Sequence, residues 1–527
     1  MKLSGEGLAR LFRSNGGVNH GLLGIAVVFF ALMAVTPAPR SLVELVSKER
    51  PLGYRLQDGT ATIAQSVNKI LGTDLPPERI AHKAKVMVAL LIAAAFLWGT
   101  EAIPLGATDL LVGCVLYLFA ILPLDSIAKA YMRDAVFFMG GVLTIAVGVG
   151  ATGLDRRIGI LLLGRVKGLK AFCFVFLPLL SVMASFFSEH ALMAILVPVL
   201  VRMYVLMCEH CKVKTDRRLG VMLILGACFA LNQGGPGSPS AGGRNAIMVT
   251  YLGDFGAPIS FAQWVLFAMP YVLVVSLAIG AFIYFTFRRR IKIPQVSFAG
   301  LLEQEKKQIG RMSRQEMVMA VILASTVILW IVASRQLGLG GPGVLAVAMM
   351  LVLRVITWKD IQTHVRFDVL GLYAAACAMG VGLRLTGGSL WMARTIVGWL
   401  PQSMQEGDAL LLTISGFTTG MTNFMSDGAT VAAIGPVALS MAPLAKLHVW
   451  KVALACAFSS SFANLTIVGT PNNAIAYVGS VDPRTGERLL RLRDFLVYGL
   501  PVTILAMLLL WLWCILGYWR WIPWPAG

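Results

Sequence analysis

Charge is scarce in this sequence. Lys, Arg, Asp and Glu make up 13% of its 527 residues, while hydrophobic side chains make up 57%; a soluble globular domain carries charge on about a quarter of its residues. The shortage excludes a water-soluble chain. Apolar runs of about 17–25 residues, long enough to cross a hydrocarbon core, recur from residue 21 to residue 519. Strict polar/apolar alternation is missing too, which excludes a membrane barrel and leaves helices, because lipid accepts only those two solutions. Acidic residues are rarest, 26 Asp and Glu against 45 Lys and Arg, for a formal net charge of +19. That excess does not form a nucleic-acid face. It gathers between apolar runs, in "KVKTDRR" (212–218), "RRRIK" (288–292) and "RTGERLLRLR" (484–493), where cytoplasmic loops and lipid headgroups account for it. The eight cysteines are scattered, so no disulfide framework is implied. Cys208 and Cys211, in "CEHC", lack a second ligand pair for a metal site. No HExxH, P-loop or dinucleotide fingerprint occurs in a fitting context. Ser188, Glu189 and His190 hold the atoms of a hydrolase triad, but consecutive residues cannot reach its geometry. An enzyme is not expected.

What is present is a topology. Arg10 and Arg13 precede the first apolar run, so the N-terminus is expected in the cytoplasm and 21–35 as a retained helix of a multi-pass inner-membrane protein. A polar outer segment (37–83) follows, then spans near 86–103, 108–124 and 135–152 and a basic amphipathic stretch (154–170). The runs 171–187 and 191–207 are separated only by Ser188-Glu189-His190, and the loop after them is basic. A single crossing would put that loop outside; a re-entrant hairpin with its tip at Ser188 returns it inside. The next span, about 220–252, is interrupted by "NQGGPGSPSAGGRN" (232–245). Such Gly- and Pro-rich backbone is tolerated at membrane depth only when protein or a water-filled cavity covers it.

The second half repeats this plan with opposite orientation. Spans near 315–334, 342–356 and 367–386 lead to an amphipathic stretch (389–402), a hairpin (406–446) and a span (450–480) broken at "TIVGTPNN" (466–473). The tips "SEHALMAILVPV" (188–199) and "SDGATVAAIGPV" (426–437) align, as do "VGVGATG" (147–153) and "VGLRLTG" (381–387). Inverted repeats with interrupted helices point to a secondary transporter whose site lies near the bilayer midplane. The expected fold is an all-α polytopic membrane protein of about eleven transmembrane helices plus two re-entrant hairpins. Its parts are a first helix and outer segment (1–83), a first repeat (84–287), a cytoplasmic linker (288–314) and a second repeat (315–527).

"LWGTEAIPLGATDLL" (97–111), "FFMGGVLTIAVGVGATGLDRRIGILLLGRV" (137–166), the two Ser-initiated tips and "VGTPNNAI" (468–475) resemble the divalent anion/sodium symporter family over residues 86–515. The resemblance implies a homodimer of scaffold and transport domains, carrying di- and tricarboxylates or sulfate by an elevator motion. In that family each tip reads Ser-Asn-Thr, each interrupted helix carries a Gly-Thr-Pro-Pro-Asn-like turn, and tip and turn together hold a sodium ion. Carried over, Ser188, Glu189, His190, Asn245, Ser426, Asp427, Gly428, Thr470, Pro471 and Asn473 are expected to bind substrate. Glu189, Arg244, Thr422, Ser426, Asp427, Gly469 and Asn473 are expected to bind or couple the cation. No cofactor is expected beyond a coupling sodium ion or proton.

The departures from the family pattern carry chemistry of their own. Asn becomes Glu189 and Asp427, Thr becomes His190 and Gly428, the first turn becomes "AGGRN" with Arg244, and the first-half match to Thr422 is Ala184. A carboxylate at membrane depth needs a partner. Glu189 is expected to pair with Arg244 in place of the first sodium ion; a proton or a directly bound sodium ion are the other accounts. No base is visible in the second tip or turn, so Asp427 is expected to hold a proton or a cation. Helix N-termini after each tip and turn favour an anion. The expected function is a secondary transporter of divalent anions coupled to a cation in the second half. A cation-independent exchanger is the alternative, and an anion channel stands behind both. Arg384 is expected as a helix-end residue that snorkels, and Glu101 as structural.

Overall fold

The computed structural model describes residues 17–52, 61–163, 166, 168–293 and 310–524. Arg10, Arg13 and most of the expected linker (294–309) lie outside the described residues. Among the described residues, secondary structure is helical apart from isolated bridge residues, Val18 and the pair Val481 and Arg488. Among the described residues, eight helices are long and apolar enough to cross a membrane, or nine if His20–Val35 and Arg40–Lys48, bent by 63°, form one span. The spans expected near 108–124 and 342–356 are shorter helices, Leu105–Leu118 and Gly340–Val352. Each is followed by a short helix not anticipated from sequence, Leu124–Tyr131 and Trp358–His364. The hydrophobic run alone does not reveal where each helix stops. Ala120 and Arg354, both left-handed (φ 46° and 56°), end them.

The order of elements is the same in both halves. Pro77–Thr100, Leu105–Leu118, Leu124–Tyr131, Asp134–Thr152 and Leu154–Leu163 lead to Leu169–Ala184, Glu189–His210, Arg217–Gly234, Gly243–Asp254 and Phe261–Phe287. Arg314–Leu337, Gly340–Val352, Trp358–His364, Phe367–Thr386 and Gly388–Trp399 lead to Gly407–Thr422, Asp427–Met441, Val449–Ser459, Pro471–Gly479 and Leu492–Leu509. Stop signals match as well: Gly153 and Gly387 are left-handed C-caps, and Lys212 and Lys446 take φ of 54° and 55°.

The chain turns back at both tips. Ser181 and Ser185 Oγ donate to the carbonyls of Ala230 and Gly234, so Leu169–Ala184 runs parallel to Arg217–Gly234. Tyr204 Oη accepts from Asp216 N at one end of Glu189–His210, while Glu189 sits against Gly235 at the other, so this arm runs antiparallel. In the second half Thr418 and Thr422 Oγ1 face Cys456 Sγ and Ser460 O, which sets Gly407–Thr422 parallel to Val449–Ser459. Asp427–Met441 packs on Val449–Ser459 across a short turn and returns.

Helices from opposite halves cross in the body that faces these hairpins. Asp134–Thr152 packs on Gly340–Val352, and Leu105–Leu118 packs on Phe367–Thr386. A Cβ on Gly141 would lie 2.7 Å from Gly343 Cα, so the first crossing brings backbones together through small residues, as membrane helices often do. The outer segment folds onto the second half. Arg40–Lys48 and Ile63–Leu71 bury Leu42, Leu45, Val46, Ile63 and Val67 in a small core with Ile80, Ala84 and Leu390. Arg394 pairs with Glu49 at 2.8 Å, and Trp391 Nε1 donates to Ser41. Arg384 does not snorkel as expected. It is buried at the end of Phe367–Thr386 and donates to Leu52 O in the outer segment, which covers the helix end and removes the water it would have reached.

Candidate functional site

Two tips and two interrupted helices converge on one buried cluster. Ser188 and Ser426 are N-caps; their Oγ atoms accept from Ala191 N and Ala429 N, satisfying helix-start donors. The carboxylates of Glu189 and Asp427 follow immediately, in each helix's first turn. Arg244 is the second residue of Gly243–Asp254, so its guanidinium also sits at a helix start. Its Nη1 donates to Glu189 Oε1 at 2.9 Å, its Nη2 lies 3.4 Å from Glu189 Oε2, and Nη1 also bonds Asp427 Oδ2. The Arg244 and Glu189 side chains are each 2% exposed, and Asp427 is 14% exposed. The base that compensates Asp427 therefore comes from the other half, which the expectation for Asp427 did not include. Neighbouring sequence shows only local partners, and this pair joins residues 183 apart.

Small residues make the room. A Cβ on Gly235 would fall 1.6 Å from Arg244 Nη2, and one on Gly243 would fall 1.8 Å from Tyr373 Cζ. The second half has Ala463 in the turn and Asn472 at the helix start. Asn472 Nδ2 donates to Asn232 Oδ1 at 2.9 Å, and His190 Nδ1 lies 2.8 Å from Asn472 Oδ1. Each half thus reaches across to the other tip, Arg244 to Asp427 and Asn472 to His190.

The turn asparagines hold the irregular backbone of their own turns. Asn245 Nδ2 donates to Gly235 O and Ser238 O at 2.8 and 2.7 Å, ten and seven residues back. Asn473 Nδ2 donates to Ala463 O and Thr466 O at 2.7 Å each, again ten and seven residues back. Both Nδ2 groups hold the irregular backbone, because buried carbonyls without helical partners must be satisfied, while Asn245 Oδ1 is buried without a partner. Ser238 Oγ bonds Ser185 O, and Thr466 Oγ1 donates to Asn423 O, so each turn is pinned to its own tip. Asn245→Ala or Asn473→Ala should lose about 1–3 kcal/mol for each carbonyl left unpaired and should lower the melting temperature of the purified protein. An unchanged melting temperature would show that the amides are not structural.

Thr422 Oγ1 donates to Ser460 O at 2.6 Å, and Gly469 packs on the Thr422 carbonyl, where a Cβ would lie 2.8 Å from it. Gly469 thus lies against the Thr422 carbonyl and Ala463, beside a turn in which Asn423 O accepts from Thr466 Oγ1 and Asn473 Nδ2 holds Ala463 O and Thr466 O. The first half has Ala184 in place of Thr422, without a hydroxyl. Gly428 N bonds Asp427 Oδ1, and Pro471 is the first residue of its helix, where its missing N–H costs nothing. Glu189, Asn232, Arg244, Asp427, Ser460, Ser461, Ala463 and Thr470 line a cleft with essentially no space for even a water molecule, about 0 Å³. A small-ligand pocket usually spans about 300 Å³ or more, so this conformation is closed. Ser461 Oγ and Thr470 Oγ1 are buried without hydrogen-bond partners. Two orphaned hydroxyls beside a guanidinium mark a place where an oxyanion can be received. A wider cleft of about 370 Å³, lined by Glu101, Asn423, Phe424, Thr466 and Val468, opens beside the second tip.

Sequence reasoning missed Asn232, Gly235, Tyr373, Ser461 and Asn472. Aligning the turns on Asn245 and Asn473 pairs Arg244 with Asn472 and Gly235 with Ala463, and that swap of size was the available signal. Cys208 is buried and Cys211 exposed, and among the described residues no group of His, Cys, Asp or Glu is placed to hold a metal.

Residues 70–524 match the family described as the sodium:sulfate symporter transmembrane region. The chain belongs to this family. It is a multi-pass membrane transporter and not an enzyme. Curated relatives include a sodium-dependent dicarboxylate transporter of Staphylococcus saprophyticus, 24% identical over 456 residues and covering 79% of this chain and 85% of its own length. Another is a sodium-dependent high-affinity dicarboxylate transporter of Caenorhabditis elegans, 24% identical over 485 residues, covering 82% and 84%. Among solved structures the fold is similar to Neisseria gonorrhoeae MtrF, at a TM-score of 0.54 and 13% identity, covering 94% of this chain and 96% of that one. Alcanivorax borkumensis YdaH matches with the same TM-score and identity, covering 94% and 99%.

Proposed function

We propose that this family member is a secondary active transporter of divalent anions, with dicarboxylates as its principal substrate class and a cation coupled through its second half. One observation carries the proposal: two hairpin tips and two interrupted helices bring helix N-termini, a guanidinium and two unpartnered hydroxyls to a single buried cluster. The matched hydrogen bonds of the two turns support a pair of inverted repeats, with hairpins and interrupted helices as a transport domain and the crossed helices around Gly141 and Gly343 as its scaffold. Movement of the first body against the second is then an elevator step, in a homodimer as the family resemblance implies. Sodium is the coupling ion that the relatives' names suggest, and the carbonyls beside Thr422, Gly469 and Asn473 are its proposed seat. The cell membrane is the proposed location, with the N-terminus cytoplasmic.

Liposomes holding the purified protein should take up labelled succinate or sulfate saturably when sodium is higher outside. Preloaded unlabelled substrate should accelerate that uptake. A current that never saturates would identify a channel instead, and uptake indifferent to sodium but dependent on internal anion would identify an exchanger.

A further inference from the structure

Tyr373 reaches the tips from outside the body that carries them. It stands on Phe367–Thr386, which packs on Leu105–Leu118 in the crossed body, and it is 8% exposed. Its ring lies against two glycines of the hairpins and interrupted helices. A Cβ on Gly243, just before Arg244, would fall 1.8 Å from Tyr373 Cζ and 2.0 Å from its Oη. A Cβ on Gly428, just after Asp427, would lie 3.5 Å from Tyr373 Cε1 and 3.9 Å from Oη. The counterparts of both glycines carry side chains. Aligned on the turn asparagines, Gly243 matches Pro471; aligned on the tip serines, Gly428 matches His190. Side chains are thus missing from both walls of one notch, and a tyrosine of the crossed body fills it.

The hydroxyl of this tyrosine is in reserve. Among the described residues the other buried tyrosines are Tyr204, Tyr251 and Tyr271, and each has a partner. Tyr204 Oη accepts from Asp216 N, Tyr251 Oη donates to Ala376 O and Ala432 O, and Tyr271 Oη donates to Ala506 O. Tyr373 Oη makes no hydrogen bond to another described residue, although the charges of Asp427, Arg244 and Glu189 act on it. A tyrosine hydroxyl so placed normally has a partner. The moving body keeps donors as well. Arg244 Nε, Ser461 Oγ and Thr470 Oγ1 are buried without partners, and all three residues line the closed cleft.

We propose that Tyr373 is a substrate-binding residue supplied by the scaffold. Its hydroxyl donates to an oxygen of the bound anion, and its ring limits the length of anion that fits between Gly243 and Gly428. A neutral donor suits the place, because it bonds an anion without adding charge beside one guanidinium and two carboxylates. Tyr373 stays with the scaffold, so the contact exists in one position of the moving body, and leaving that position empties the notch. The inference rests on the anion-transport function and elevator step proposed above, and adds a residue that selects the anion.

Tyr373→Phe keeps the ring and removes the donor. Succinate is the probe, and its affinity is read by thermal stabilisation of the full chain at constant sodium. Y373F should bind succinate about tenfold or more weakly than wild type, the range for losing a hydrogen bond to a charged group. Its melting temperature without ligand should equal that of wild type, because the hydroxyl has no protein partner to lose. Tyr373→Ala opens the notch, and citrate, a longer anion, should gain about tenfold on succinate. Adding G243A should weaken succinate binding in wild type and leave Y373A unaltered, because the methyl group then meets no ring. Equal succinate affinity in Y373F and wild type, or an unchanged citrate-to-succinate ratio in Y373A, overturns the inference and leaves anion transport standing. A lower ligand-free melting temperature in Y373F overturns it too, by assigning the hydroxyl to the fold. If wild type binds neither succinate, citrate nor sulfate, the proposed anion transport fails and this inference with it.

Discussion

Arg244→Ala is expected to abolish uptake of divalent anions and to lower the stability of the purified protein by about 3–5 kcal/mol, the range for removing one partner of a buried ion pair. The reason is specific to this cluster. Arg244 is the shared partner of Glu189 and Asp427, so its loss leaves two carboxylates facing each other at the meeting point of the two tips. Adding E189Q and D427N to the same protein should recover the melting temperature, because the uncompensated charges are gone. Transport should stay absent, because the guanidinium proposed to receive the substrate is still missing. Thermal melts and liposome uptake on the three proteins separate the two effects. Recovery of transport in the triple variant would show that Arg244 serves only as a structural counter-ion.

Gly235→Ala should be almost as damaging, although it adds a single methyl group. That methyl would stand 1.6 Å from Arg244 Nη2, with Glu189 Oε2 3.1 Å away, and the other wall of the space is backbone held by Asn245. The side chain with freedom to move is Arg244, and moving it breaks its bonds to both tips. The second half shows the alternative solution, Ala463 with Asn472. A G235A/R244N variant should therefore fold better than G235A alone, provided the tips are also neutralised with E189Q/D427N. An uptake assay and melting curve for G235A check the first expectation, and a wild-type-like melt would mean the turn relaxes to accommodate the methyl group.

Much of the site was legible because its parts are written twice. The Ser-carboxylate tips, the Gly- and Pro-rich breaks and the asparagine ending each break mark positions where apolar periodicity stops. A helix cannot continue through such a break without leaving backbone groups unpaired in lipid. Arg244 stood out as a charge inside one break, and Glu189 beside it was the natural partner. Its second partner was not legible, because Asp427 lies in the other half and no local pattern links the two. The backbone-holding role of Asn245 and Asn473 was not legible either, because the carbonyls each amide serves lie ten and seven residues back along an irregular segment.

The sequence by itself determined the class of the molecule. Scarce charge and long apolar runs leave only membrane helices, and the duplicated tips and breaks mark the order of the elements. Only the tertiary structure decided which charges neutralise which. The energy of a buried ion depends on the few ångströms around it, and those are filled by residues far apart in the chain. Arg244 is therefore one arginine among many in the sequence, and in the folded protein it ties both halves together at the place where an anion would enter.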